Sequence, residues 1–207
     1  MLKRILLAVL AVLAIFLAFV ATRPDSFEVK RELSMSAPPA VAYAQVADFH
    51  GWAAWSPWDK LDPAMKRTFD GPNSGVGAHY AWEGNKDVGK GEMKITDAKE
   101  GEQIGIELHF ITPFETTNRT TFTFAKDGEG SKVTWQMEGK NNFGSKLFGL
   151  FMNMDKLVGG DFEKGLAAMK TVSEKAAADA AAAAKKAADD AAAAAPPEAA
   201  AGDAGTP

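Results

Sequence analysis

The sequence predicts an α+β domain, with a curved antiparallel sheet of about seven strands around a long C-terminal helix. Two short helices are expected after the first strand, and a transmembrane helix ahead of it. Three observations carry this reading. Between Phe27 and Met137 apolar and polar residues alternate in short runs bounded by turn formers, the period of strands with one wet face. From Leu147 to Val172 the apolar residues recur in steps of three and four, the period of an amphipathic helix. Near the N-terminus a wholly apolar run carries no charge.

The chain has 207 residues, of which the two ends read as non-globular. What remains is enough for one hydrophobic core. Accordingly, residues 1–24 are read as an N-terminal anchor or signal peptide, 25–175 as the folded domain and 176–207 as an alanine-rich, largely disordered tail. With no cysteine, disulfide and thiolate chemistry are excluded. A net charge of -4, with no basic stripe interleaved with aromatics, gives no footprint for nucleic acid.

The apolar run extends from Ile5 to Ala21 behind Lys3 and Arg4. As a helix it measures about 26 Å, just enough to cross a bilayer. A cleaved signal peptide is the rival reading, although Phe19-Val20-Ala21 matches poorly the small residues that cleavage requires. In either case the basic pair places the N-terminus in the cytoplasm and the domain on the periplasmic or extracellular side, tethered or secreted.

The first strand is Phe27 to Met35, apolar at odd positions except Arg31. Pro38-Pro39 ends it and opens a short helix from Ala40 to Ala47. Next comes Phe49-His50-Gly51-Trp52-Ala53-Ala54-Trp55-Ser56-Pro57-Trp58, which holds three of the five tryptophans. Broken by Gly51 and Pro57, it is a short helix or turn whose rings are buried by another element or face a ligand. From Met65 six strands fit between turn signals, and they join as a meander. Tyr80 with Trp82, Met93 with Ile95, Ile104 through Phe110, Thr120-Phe122-Phe124 and Val133-Trp135-Met137 mark the inward face. Past Gly144 and a cap at Ser145, the stripe Leu147, Phe151, Met154, Val158, Phe162, Leu166, Met169 and Val172 predicts one helix of nearly thirty residues. The alanine-rich stretch from Ala176 extends that helix by propensity before order gives out.

Strand, two short helices, six strands and a long closing helix is the order of the helix-grip fold. The chain resembles the START-like, or SRPBCC, superfamily, in particular its polyketide cyclase/dehydrase and lipid transport branch. The resemblance rests on Phe49-x-x-Trp52-x-x-Trp55-Ser56-Pro57-Trp58, Gly75-Val76-Gly77, Gly89-Lys90-Gly91-Glu92-Met93, Leu108-x-Phe110-x-x-Pro113, Val133-Thr134-Trp135 and Asp161-Phe162-Glu163-x-Gly165-Leu166. It implies a cavity between sheet and helix for a hydrophobic small molecule or lipid. It carries no fixed catalytic set, so no catalytic residue is assigned.

His50, His79 and His109 fall on different elements without metal-ligand spacing, and neither a metal nor a cofactor is expected. Gly75-Val76-Gly77 leads into a strand rather than a helix and reads as a hairpin turn. Glu107 and Glu138 have the parity opposite to the apolar face. Arg31 is the ionisable residue on the inward parity of a clear strand, and its burial opposite a carboxylate would favour an enzyme. Asn118-Arg119-Thr120 matches a glycosylation sequon inside a predicted strand. The expected cavity lining is Trp55, Trp58, Tyr80, Trp82, Phe110, Trp135, Phe151 and Met154. The function expected is a membrane-anchored, non-enzymatic carrier. The alternatives are a cyclase, dehydratase or hydrolase on the same scaffold, or an envelope interaction module whose aromatic turn docks a protein.

Overall fold

The computed structural model describes residues 1–194. Helix α1 (Leu2–Ala21) precedes strand β1 (Ser26–Met35) and helix α2 (Pro39–Ala47). Two 3₁₀ turns, Phe49–Ala54 and Trp58–Lys60, lead to six strands: β2 (Lys66–Asp70), β3 (His79–Glu83), β4 (Lys90–Lys99), β5 (Gln103–Thr112), β6 (Thr116–Asp127) and β7 (Gly130–Lys140). Helices α3 (Phe143–Phe148) and α4 (Met154–Ala194) follow. All seven strands form one antiparallel sheet in the order β1-β7-β6-β5-β4-β3-β2. The meander places β2 at one edge, and β1 closes the other edge against β7 with Leu33 opposite Val133 and Arg31 opposite Trp135. Register shifts between β4 and β5, at Lys90/Gly91 and Ile95/Asp97, bend the sheet.

The element between β1 and β2 crosses the concave face because its apolar groups have no other place to go. Ala42 and Val46 of α2 are fully buried, and Tyr43 meets Phe124 edge-on at 5.6 Å. With Pro39 at its first turn and a lone aspartate behind it, α2 stops at Ala47. Asp48 then starts the 3₁₀ turn by accepting from the His50 backbone N–H.

The single closing helix expected from the apolar stripe is two helices. Asn142, not Ser145, caps α3: its side chain accepts from the Ser145 N–H at 2.8 Å. The chain leaves helical geometry after Gly149 and restarts where Asn153 accepts from the Lys156 N–H at 3.2 Å. Asparagine side chains compete for backbone donors and so reset a helix even where the apolar period runs on. Phe162, Leu166 and Met169 of α4 are buried against the sheet. Phe151, in the break, is 79% exposed.

Arg31 holds α4 onto the edge strand. Its Nη1 donates to Asp155 at 2.7 Å and its Nε to Glu163 at 2.7 Å. Gly159 lies between these two carboxylates, where any Cβ would overlap the guanidinium. The glycine is therefore needed for the close approach. Both carboxylates are half or more exposed, so the clamp sets the position of α4 more than it adds stability. Beyond the sheet α4 continues through the alanine-rich stretch, supported by alanine's helix propensity and by Lys175–Asp179 and Lys185–Asp189 pairs. Residues 176–194 thus continue α4, the extension expected from alanine's propensity, and the remainder of the tail, with the disorder expected for it, lies outside the described residues.

Candidate functional site

The half of the concave face nearest α2 is packed solid. Trp55 meets Phe122 and Trp135 edge-on at 6.1 and 5.7 Å, and Trp135 stacks on Phe162 at 4.1 Å. The other half is not filled. A cavity of about 1320 Å³ lies between β3–β7, the tryptophan-bearing turn, α3 and the first turns of α4. The chain breaks after Gly149, with Leu147 and Phe148 of α3 bordering the space and Phe151 exposed at its edge. Helix α3 stands off as a roof.

The wall of the cavity is the inward face that strand alternation marks. Tyr80, Trp82, Met93, Leu108, Phe110, Trp135 and Met137 form the floor, with Trp52 and Trp58 at one side and Met154, Val158 and Phe162 at the other. Of the eight residues expected to line it, Trp58, Tyr80, Trp82, Phe110, Trp135, Phe151 and Met154 border this space. Trp55 does not. It is 1% exposed, boxed in by Trp52, Phe122 and Trp135, and its indole N–H donates to the Gln45 carbonyl at 3.1 Å. The 3₁₀ turn sends Trp55 back toward α2 and presents Trp58 to the cavity, a difference that spacing within a broken segment does not reveal. Phe151 borders the space only at its open rim.

Three of the charged groups that border the cavity are held by opposite charges, while Arg23, Glu28 and Lys140 border it exposed. Asp59 accepts from Arg67 Nε at 2.8 Å, and Asp155 is held by Arg31. Lys146 of α3 donates to the carboxylate of Asp25 at 2.5 Å and to the Ala21 carbonyl at 3.2 Å. Burial, with the Asp59 carboxylate adding to it, pushes the Tyr80 phenol up to about 12, although Arg67 draws it down. Tyr80 is therefore a neutral wall residue at physiological pH. Hydrogen bonds to Asp155 and Glu163 raise the Arg31 guanidinium still further above its usual range. It remains a cation that positions a helix and has no proton to exchange.

The sequence reading put Thr120 on the inward face but counted neither it nor Asn118 among the lining, and both are polar residues in the wall. Both lie on the same parity of β6 as Phe122 and Phe124, and polar side chains on an apolar parity were the signal available. Asn118 is 5% exposed, so a glycan on the sequon it heads does not fit the folded domain. The three histidines lie away from the cavity. His50 stacks on Phe69 at 4.2 Å, while His79 and His109 flank Glu92 on the outer face at 3.4 and 3.2 Å. Among the described residues no cluster of His, Asp and Glu could hold a metal ion.

The mouth of the cavity combines exposed aromatic rings with the charged Arg23, Glu28, Glu115 and Lys140, and it adjoins the end of α1. Arg23 and Pro24, directly after α1, border it. Phe114 and Phe151, each 79% exposed, stand at its rim with Phe148, Met152 and Leu157. Helix α1 is itself long and apolar enough to cross a membrane, and its last turn rests on α3 with Val20 buried.

A curled antiparallel sheet gripping a C-terminal helix around an apolar cavity defines the START-like, or SRPBCC, class. Within it the chain belongs to the polyketide cyclase / dehydrase and lipid transport family, which matches residues 26–174. No curated protein matches the chain. Among solved structures, a protein from Chromobacterium violaceum shares 17% identity over 73% of this chain and 99% of its own, with a TM-score of 0.52. The Aha1 dimer from Colwellia psychrerythraea shares 12% over 72% of this chain and 96% of its own, at 0.52. A protein from Rhizobium loti shares 17% over 70% and 96%, at 0.51. These likenesses establish the fold.

Proposed function

We propose that the chain is a membrane-tethered binding protein for a hydrophobic small molecule or lipid, which it takes up through the phenylalanine-rimmed mouth of the cavity. The observation that carries this reading is the coincidence of two features: a large apolar cavity, and a mouth rimmed by exposed phenylalanines at the point where α1 leaves the domain. With α1 in a bilayer and the basic N-terminus on the cytoplasmic side, the mouth would sit at the outer surface of the membrane. Phe114, Phe148 and Phe151 would then enter the interfacial region, where large apolar groups are stabilised. A ligand could pass from bilayer to cavity without crossing bulk water. Each Å² of apolar ligand surface covered would contribute on the order of 25 cal/mol before ordering costs.

The test is native mass spectrometry of the detergent-extracted full chain, followed by extraction and identification of what co-purifies. The expected result is a bound species whose retention weakens when Leu108→Trp narrows the cavity at its floor. Wild-type protein that retains nothing, and takes up no added lipid, would count decisively against the reading.

A further inference from the structure

Helix α3 roofs the cavity without belonging to the core. Gly144, Ser145, Lys146, Leu147 and Phe148 border the space, yet none of its residues is buried, and Phe143 and Phe148 are 46% and 49% exposed. The chain is non-helical on both sides of it: Asn141 and Asn142 lead in, and Gly149 to Asn153 separate it from α4. A helix of six residues is too short to be stable by itself. With few buried apolar contacts and irregular segments on either flank, it belongs to the low-stability end of the fold.

What fastens α3 is the end of α1. The last turn of α1 rests on it, with Val20 fully buried. From the other side of that junction Lys146 reaches back, its Nζ donating to the Ala21 carbonyl at 3.2 Å and to the Asp25 carboxylate at 2.5 Å. Ala21 is the last residue of α1, where carbonyls are unpaired and the helix dipole is negative, so a cation there acts as a cap. The lysine side chain is 10% exposed and the aspartate 93%. The ammonium is thus enclosed by the junction, while the ion pair is open to water and contributes little. Such a contact closes the roof without locking it. The chain entering α3 is pinned separately: the Asn141 N–H donates to the Asp25 carbonyl at 2.8 Å, and its side chain to the Pro24 carbonyl at 3.1 Å. Any movement of α3 therefore begins at Asn142.

We propose that α3 is a lid over the cavity, hinged at Asn142, given slack by Gly149 to Asn153 and latched to α1 through Lys146. The anchor then sets how readily a ligand enters and leaves, as well as where the domain sits. The inference rests on the proposed use of the cavity as the binding site, and it needs α1 to remain on the chain.

The experiment uses the full chain held in amphipol and follows, by stopped flow, the release of bound 1-aminoanthracene into excess 1-octanol. Lys146→Met keeps the length of the side chain and removes its donors. It should speed release about fivefold and raise the hydrogen-exchange rates of the amides from Ser145 to Gly149. Affinity should stay within about twofold, since a lid that opens more often also admits the probe faster. Lys146→Arg, which retains a cation with donors, should restore the wild-type rate. The melting temperature of ligand-free Lys146→Met should match wild type, because α3 buries none of its residues. Release and exchange at wild-type values in Lys146→Met would overturn the inference while sparing the cavity reading. A fall in melting temperature of roughly 5 °C or more would do the same, by making α3 part of the core. Weaker affinity at an unchanged release rate would assign Lys146 to ligand contact and would also overturn it. If the probe does not bind wild type, the cavity reading itself falls and the inference with it.

Discussion

Two phenylalanines of the same apolar stripe, Phe151 and Phe162, offer the sharpest test of how this domain closes. The periodicity that predicts one long helix puts both on its buried face, whereas the structure puts one at a rim and the other in the core. Phe162 is 1% exposed, stacks on Trp135 at 4.1 Å with 9° between the planes, and meets Trp58 edge-on at 6.3 Å. Its truncation to alanine removes a fully buried ring and leaves a void between α4 and β7. The expected loss is about 3–5 kcal/mol, in which the aromatic contacts account for about 0.5–1.5 each. For a chain of this size that is a fall in melting temperature of roughly 10 °C. Phe151→Ala removes a ring that is 79% exposed and should change stability by no more than about 0.5 kcal/mol. Thermal melts of the two variants in one detergent, followed by circular dichroism, decide the matter. Equal destabilisation would mean that α3 and α4 form one helix and that the space beneath them is filled.

Three further outcomes are expected. Trp55→Phe deletes the buried donor to the Gln45 carbonyl and should cost about 1–3 kcal/mol yet leave probe binding unchanged, since Trp55 is core; a loss of binding at unchanged stability would refute this placement. Leu108→Trp, on the cavity floor, should reduce displacement-probe affinity roughly tenfold or more with little change in the melt, as read by parallel fluorescence titration and calorimetry. The outer-face ladder should make stability depend on pH at both ends. Hydrogen bonds to Glu92 first, and to Glu115, raise the His109 imidazole above its ordinary 6.5, so its contribution is fully present below that value and is lost as pH rises through the raised one. Glu92, held below its ordinary 4.5 chiefly by His109, contributes above that value and loses its share as pH falls through the lowered one. Asp70 and His79 complete the ladder. Glu92→Gln should flatten both limbs in melts taken from pH 2 to 9, and an unchanged His109 titration in that variant, followed by NMR, would contradict the assignment.

Much of this architecture was legible in the chain because the determinants are local. A strand's side chains alternate with a fixed period of two, so Tyr80, Trp82, Phe110, Phe122 and Trp135 declared a common face before any strand was paired. Turn formers at Gly71-Pro72, Gly84-Asn85 and Gly128 marked where the sheet reverses, and an uncharged run of apolar residues marked α1. Which aromatic ring became core and which became wall was decided by tertiary structure. That outcome depends on where α4 begins, and the restart at Asn153 is a hydrogen-bonding event superimposed on an uninterrupted apolar period. The same holds for Asn118 and Thr120. Their parity could be read along β6, but the burial of their side-chain oxygens without hydrogen-bond partners became visible only when β5 and β7 closed around them, because satisfaction of a polar group is a property of everything within reach of it. Local chemistry therefore set the faces and the turns of this protein, and long-range packing set the empty space between them.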